Sequence, residues 1–100
     1  MNIYVDIDET ICYYENEREY HLAKPIVDNI AKINKLFEEG NEITYYTARG
    51  SVHVDRLDEY SSLTEEQLKE WGCKYHQLSV GEKPAYDLMI CDKTKRIEEI

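Results

Sequence analysis

The stretch IYVDIDET at residues 3–10 decides the fold of this chain. Its first three residues, at positions 3–5, carry the β-branched and aromatic side chains that favour a buried strand. The chain then runs directly into Asp6, Asp8 and Glu9. Carboxylates are costly to bury without a partner. The stretch therefore predicts a core strand whose carboxyl end carries charged groups that need a specific role.

Length, composition and charge limit the kind of protein this is. The 100 residues, of which 42% are hydrophobic, predict a single domain over residues 1–100 with one core. The formal net charge of −9 weakens long-range attraction to nucleic acid and to anionic membrane surfaces. We therefore expect neither nucleic acid nor a membrane as a partner.

The three cysteines predict a reduced chain. Cys12, Cys73 and Cys91 are odd in number and form no C-x-x-C pair, so neither a disulfide framework nor a zinc site is expected. No signal peptide precedes the first strand, and no apolar run approaches the roughly 18 residues that span a membrane. The expected location is the cytoplasm.

The first half of the chain predicts a strand, an irregular segment and a helix. Residues 2–7 form the strand, and residues 11–24 predict a polar, tyrosine-bearing loop or short hairpin. Pro25 suits the first turn of the helix, and Gly40 suits its end. The apolar face of this helix repeats at three- and four-residue spacing and consists of Ile26, Ile30, Ile33 and Phe37, with Val27 and Leu36 beside them.

The second half of the chain alternates in the same way. Thr64 and Gln67 have the spacing of a capping box, which predicts a helix from Thr64 to Trp71 that ends at Gly72. Strands are predicted at 42–47, 76–80 and 86–91, with a short C-terminal helix from about Lys93. Strands that alternate with helices predict parallel crossovers and an α/β layer fold.

Polar residues follow each of the four predicted strands. In an open parallel sheet the ligand crevice lies beyond the carboxyl ends of the strands. The residues expected to meet there are Asp6, Asp8, Thr47, Arg49, Lys83 and Asp92.

These residues predict a phosphoryl-transfer site. The carboxylates of Asp6, Asp8 and Asp92 form an oxygen-only set of the kind that Mg²⁺ prefers. One carboxylate can attack phosphorus, and a second can exchange a proton with the leaving oxygen and the attacking water. Thr47 is expected to bind a phosphoryl oxygen, and Lys83 to balance the negative charge.

The chain resembles the haloacid-dehalogenase-like phosphatase superfamily in the order D-x-D-x-T, a strand ending in Thr, a Lys, and a strand ending in Asp. The segments YVDIDETI, YYTARG, LTEEQLKEWG and YDLMICDK look more narrowly like its small capless capsule-polysaccharide-biosynthesis phosphatases. The resemblance implies a capless, Rossmann-like three-layer sandwich with a mainly parallel sheet. It also implies Mg²⁺-dependent hydrolysis of a phosphomonoester, with Asp6 as nucleophile and Asp8 as general acid and base. Asp6, the backbone carbonyl of Asp8, and Asp92 would hold the metal.

The substrate is expected to be a small phosphorylated metabolite, a sugar phosphate in the first place. Thr47, Arg49 and Lys83 are its expected contacts, although Arg49 could equally form a salt bridge with Asp55 or Asp92. Asp87 either orients Lys83 or simply begins a strand.

Two departures from the family pattern concern the same site. Cys91 stands where the family often has an acidic residue, and Glu9 replaces a common Gly and is expected to face solvent. Tyr13 and Tyr14 follow the catalytic loop and are candidates for a role there.

Two other functions remain open on the sequence. Phosphoreceiver domains also gather acids, a Thr and a Lys at strand ends, and Cys91 is compatible with an inactive interaction subunit.

The chain lengths between Asp8 and Thr47 and between Thr47 and Lys83 leave no room for an inserted cap domain. Because the site would then be open to water, we expect a homo-oligomer, most simply a dimer.

Overall fold

The computed structural model describes residues 1–17, 19–49, 57–81, 88–90 and 97. Its main sheet has four parallel strands: β1 (Asn2–Asp6), β4 (Glu42–Thr47), β5 (Gln77–Val80) and β6 (Leu88–Ile90). These strands lie within two residues of the predicted bounds. The spatial order is β5-β4-β1-β6, so the third, second, first and fourth strands of the sheet follow one another. The predicted Rossmann-like α/β fold is confirmed.

The carboxyl end of β1 lies at the point where the strand order reverses. β1 pairs with β4 on one side, with Asp6 opposite Tyr46, and with β6 on the other, with Val5 opposite Ile90. The chain moves outward from β1 to β4 and β5 and then returns to the far side of β1. Ligands of open α/β sheets bind outside the carboxyl ends of the strands at such a reversal. The fold therefore puts Asp6 and Asp8 at the expected crevice.

A small antiparallel ribbon follows the first strand. It pairs β2 (Cys12–Tyr13) with β3 (Lys24–Pro25), and a 3₁₀ turn at Tyr20–Leu22 lies between them. This confirms the short hairpin that the sequence left open for residues 11–24. Nothing larger is inserted within the described part of the chain.

Pro25 belongs to this ribbon and not to a helix, so the predicted helix start was wrong. Pro25 lies opposite Cys12, and the next residue, Ile26, keeps an extended backbone and donates its N–H to the Ile11 carbonyl at 2.8 Å. Helix α1 (Val27–Glu38) begins only after this bond. The fixed φ of proline suits an extended strand as well as a helix start, and long-range pairing selected the strand.

α1 packs through the face that its periodicity predicts, with one exception. Ile30 and Ile33 are buried, and Phe37 packs against the same core. Val27, in contrast, is 70% exposed. The helix ends as predicted at Gly40, whose φ of 97° lets Asn41 donate its N–H to the Leu36 carbonyl.

Helix α2 (Leu57–Glu70) begins well before Thr64, so the predicted capping box was wrong. Thr64 lies inside the helix, where its hydroxyl donates to the Tyr60 carbonyl one turn earlier at 2.7 Å. The end of the helix agrees with the prediction, since Gly72 takes a φ of 73°. The N–H of Cys73 then donates to the Leu68 carbonyl.

One hydrophobic cluster joins the sheet to both helices. Its sheet residues include Ile3, Val5, Ile43 and Tyr45, and its helix residues are Ile30 and Ile33 of α1 and Leu68 of α2. Both helices therefore cover the same face of the sheet. The opposite face carries Tyr4 and Tyr46, and no described residue supplies the third layer expected there. Of the expected C-terminal helix only Ile97 is described, and it is buried in the main cluster.

No helix in the described ranges is long and apolar enough to cross a membrane.

Replacing Ile33 with Ala tests the packing of α1. Ile33 is fully buried, so the change should lower the free energy of unfolding by about 2–5 kcal/mol through lost transfer energy and a cavity. Val27→Ala on the same helix is the matched control, and its exposed side chain predicts a change within about 0.5 kcal/mol. Urea unfolding followed by Trp71 fluorescence measures both. Equal losses in the two variants would contradict this packing.

Candidate active site

A tight turn carries the chain from β1 into the site. The Ile7 N–H donates to the Tyr46 carbonyl at 3.0 Å, which extends the sheet ladder past Asp6. The Ile7 carbonyl then accepts the N–H groups of Thr10 and Ile11 at 3.2 and 3.0 Å. Glu9 lies in this turn with a φ of 66° and an exposed side chain, as expected for a residue facing solvent.

The centre of the site is a buried ion pair between Asp8 and Arg49. Arg49 Nη2 lies 2.7 Å from Asp8 Oδ1, and Arg49 Nε lies 3.1 Å from Asp8 Oδ2. Both residues are buried, with Arg49 only 1% exposed. Such a forked contact fixes the orientation of the carboxylate as well as its charge.

Other donors surround the same carboxylate. The Tyr14 hydroxyl donates to Asp8 Oδ1 at 2.5 Å, and Thr47 Oγ1 donates to Asp8 Oδ2 at 3.1 Å. Burial by itself raises the pKa of Asp8. The hydrogen bonds and charge of Arg49, with the bonds from Tyr14 and Thr47, outweigh burial and hold that pKa below its ordinary value. The arrangement therefore favours the ionised form of Asp8.

The far end of Arg49 is held by helix α2. Arg49 Nη1 donates to Gln67 Oε1 at 2.6 Å and to Thr64 Oγ1 at 3.2 Å. Gln67 also donates to the Tyr20 carbonyl at 2.6 Å, and the Tyr20 ring centre lies 4.8 Å from the guanidinium carbon of Arg49. The chain between and including the two ribbon strands, residues 12–25, is called the ribbon segment. This segment, helix α2 and the ion pair thus form one network.

Thr64 and Gln67 were missed as site residues because their spacing was interpreted as a helix cap. The same spacing of three also puts two polar residues on one face of a helix, when the helix extends beyond them in both directions. Their neighbour Leu68 is fully buried, so this face points into the protein. The signal available in the sequence was that two polar residues share one helix face with the apolar Leu68.

The structure describes four of the predicted site residues and brings three of them into direct contact. Asp6 ends β1 half-buried, and Asp8, Thr47 and Arg49 are in direct contact. Arg49 forms a salt bridge with Asp8, whereas Asp55 and Asp92, the partners considered for it, lie outside the described residues.

The remaining predictions for the site lie outside the described residues. They concern Lys83, Asp92, Cys91, Asp87 and Asp55.

Thr47 and Tyr14 have specific positions in this network. The Thr47 hydroxyl has one proton, which it donates to Asp8. Thr47 can therefore donate a hydrogen bond to a phosphoryl oxygen only after its bond to Asp8 breaks. Tyr14 is half-buried, and burial together with its bond to Asp8 raises the pKa of the phenol. Of the two tyrosines proposed for a role here, Tyr14 contacts Asp8, whereas Tyr13 is 40% exposed.

The described part of the site offers some of the donors that Mg²⁺ needs. The Asp6 carboxylate and the Asp8 carbonyl are hard oxygen ligands, and no backbone N–H of the described residues donates to that carbonyl. The Asp8 carboxylate is engaged by Arg49. Among described residues no group of three His, Cys, Asp or Glu side chains could hold a metal, and the third expected ligand, Asp92, is not described. The donors present fit Mg²⁺ by chemical type.

Comparison with known proteins supports the fold alone. The chain is similar to the crystal structure of an MCSG target protein from Vibrio cholerae, with a TM-score of 0.70 and 24% sequence identity. The similarity covers 84% of this chain and 72% of that one. No protein-family model and no curated protein matches the chain.

The pH dependence of stability tests the ion pair. The pKa of Asp8 is lower in the folded protein than its ordinary value of 3.8, so its stabilisation is complete above pH 3.8 and is lost as the pH falls below it. Asp8→Asn should cost about 3–5 kcal/mol at pH 7, because Arg49 stays buried without its partner. Between pH 7 and pH 3, the free energy of unfolding of the variant should then fall by less than that of the wild type.

Urea unfolding at pH 7, 5, 4 and 3 measures this effect. Glu66→Gln removes an exposed carboxylate from α2 and is the matched control, for which the wild-type pH dependence is expected. A wild-type pH slope in Asp8→Asn would contradict an ionised Asp8 in the folded state.

Proposed function

We propose that this protein is a Mg²⁺-dependent phosphomonoester hydrolase that works through an aspartyl-phosphate on Asp6. The observation that carries the proposal is the position of Asp6 at the end of the central strand, two residues from a buried, oriented carboxylate on Asp8. Thr47 joins them from the neighbouring strand. The substrate is a small phosphorylated metabolite, and a sugar phosphate is the first candidate.

The reaction assigns different work to the two carboxylates. An Asp6 oxygen attacks phosphorus, and the bond between phosphorus and the leaving oxygen breaks. Asp8 gives that oxygen a proton, which Asp8 must first take up from solvent because its described contacts favour the carboxylate. Water then attacks the phosphorus of the aspartyl-phosphate, Asp8 takes a proton from it, and inorganic phosphate leaves with the Asp6 carboxylate restored. Thr47 and Lys83 orient the phosphoryl group. Asp6, the Asp8 carbonyl and Asp92 would hold Mg²⁺, which would neutralise charge on the phosphoryl oxygens.

The sheet order argues for this proposal over a phosphoreceiver. Receiver domains have the flavodoxin-like strand order 2-1-3-4-5, in which the first and third strands are neighbours. Among the described strands of this sheet, β1 is the first in chain order and lies between β4, the second, and β6, the fourth. The acidic pair follows β1. The same residue types are therefore carried by a different topology.

Asp6→Asn tests the nucleophile. The amide keeps the shape of the side chain but removes the attacking oxygen anion and a metal ligand, so phosphate release should fall to below a few per cent of wild type. The measurement is a screen of sugar phosphates and nucleotides with Mg²⁺, in which the wild type should release many phosphates per chain. Glu9→Gln, an exposed neighbour, is the control and should keep its activity. Labelling that stops at one phosphate per chain would favour a receiver instead.

Metal exchange tests the cofactor. Phosphate release should stop with EDTA and return with Mg²⁺. Ca²⁺ should inhibit, because its longer bonds and looser coordination misplace the attacking group. The rate is measured with each ion at saturating substrate. Undiminished turnover in the presence of chelator would exclude the proposed mechanism.

A further inference from the structure

The guanidinium of Arg49 has no described donor left for a substrate. Arginine has five N–H donors in a planar fork. Nε and Nη2 donate to Asp8, Nη2 also to the Tyr14 oxygen at 3.2 Å, and Nη1 to Gln67 and Thr64. A phosphate contact would therefore require Arg49 to give up at least one of these described partners.

Giving up these partners would be costly, because they are themselves buried. Thr64 is fully buried, and Gln67 is 7% exposed. If Arg49 turned toward a phosphate, the Gln67 carbonyl oxygen would lose its described partner inside the protein, and an unpaired buried acceptor costs about 1–3 kcal/mol. The contacts on α2 therefore hold Arg49 in place.

All but one of the described partners of Asp8 are fully buried. Its partners Arg49, Thr47 and Cys12 are 1% exposed or less. Tyr14 is the described partner of Asp8 that is only half-buried, and it comes from the ribbon segment. Among the described residues Arg49 thus belongs to the buried part of this cluster, and the side of Tyr14 is the one left for a substrate.

We infer that Arg49 is a positioning residue that fixes the Asp8 carboxylate from behind, and that Gln67 of α2 in turn fixes Arg49. This inference rests on the proposed phosphatase function. It replaces the expected contact between Arg49 and the substrate phosphate. The orientation of the general acid and base then depends on the position of α2, through Gln67.

The two roles predict different kinetics. A phosphate ligand contributes to binding, so its loss raises KM and the inhibition constant of inorganic phosphate. A positioning residue acts on the chemical step, so its loss lowers kcat and leaves phosphate affinity unchanged. A displacement of about 1 Å in a reacting group can cost about 10²-fold in rate.

Arg49→Lys and Gln67→Met are the test variants. Lysine keeps a positive charge that can bind phosphate but loses the planar fork that spans Asp8 and α2. Methionine removes the acceptor of Arg49 Nη1 while Arg49 itself stays. Gln77→Met makes the same chemical change at an exposed position on β5 and is the matched control.

The experiment measures kcat, KM and inhibition by inorganic phosphate for the wild type and the three variants, with folding checked by circular dichroism at the assay temperature. We expect Arg49→Lys and Gln67→Met to lower kcat by about 10- to 100-fold, with the phosphate inhibition constant within about twofold of wild type. Gln77→Met should match the wild type. If Arg49→Lys does not fold, Gln67→Met decides.

If the wild type is active, three results would overturn the inference but not the proposed function. The first is a raised phosphate inhibition constant with unchanged kcat in Arg49→Lys. The others are a wild-type kcat in Gln67→Met and a loss of kcat in Gln77→Met equal to that in Gln67→Met. A wild type that releases no phosphate from any substrate, or an Asp6→Asn variant that remains active, would instead remove the proposed function and the inference with it.

Discussion

The ion pair between Asp8 and Arg49 is the interaction on which the rest of the site depends. It joins the turn after β1 to the end of β4, and through Gln67 it reaches α2. A buried pair of charges is stable only when the remaining donors and acceptors around it are also satisfied. Tyr14, Thr47 and Gln67 meet that requirement here, and this is why so many polar side chains converge below the surface of a small domain.

The two acids of the first motif have the same chemistry but different surroundings. Asp6 ends the central strand half-buried, whereas Asp8 lies among donors and is held as a carboxylate. Environments that differ in this way give like residues unlike roles in catalysis. The proposed division of labour assigns the nucleophile to Asp6 and proton transfer to Asp8, and it requires Asp8 to take up a proton in surroundings that favour its carboxylate.

The network also links activity to stability. Replacing a partner of a buried charge leaves that charge poorly compensated, so changes at Arg49 or Gln67 should affect folding as well as the proposed catalysis. The ribbon segment takes part as well, because Tyr14 binds Asp8 and the Tyr20 carbonyl binds Gln67. A short, polar insertion thereby covers part of a site that has no cap domain among the described residues.

The sequence by itself determined the elements whose signals are local. The strands at IYVD and EITYYT follow from side-chain type, and the helix ends at Gly40 and Gly72 follow from the positive φ that glycine accepts. The meeting of Asp6, Asp8 and Thr47 was also predictable, because parallel strands bring their carboxyl ends to one edge. The order of the motifs added the expected chemistry.

Only the tertiary structure decided the roles of Pro25, Thr64, Gln67 and Arg49. Pro25 and Thr64 suit a helix start, yet pairing with Cys12 placed one in a strand, and the longer α2 placed the other inside a helix. The sequence offers several carboxylates as possible partners of Arg49, and the observed partner, Asp8, lies 41 residues away along the chain. Such contacts depend on which surfaces face each other after folding. No local pattern encodes that geometry, since the free energy of a buried pair is set by all the groups around it.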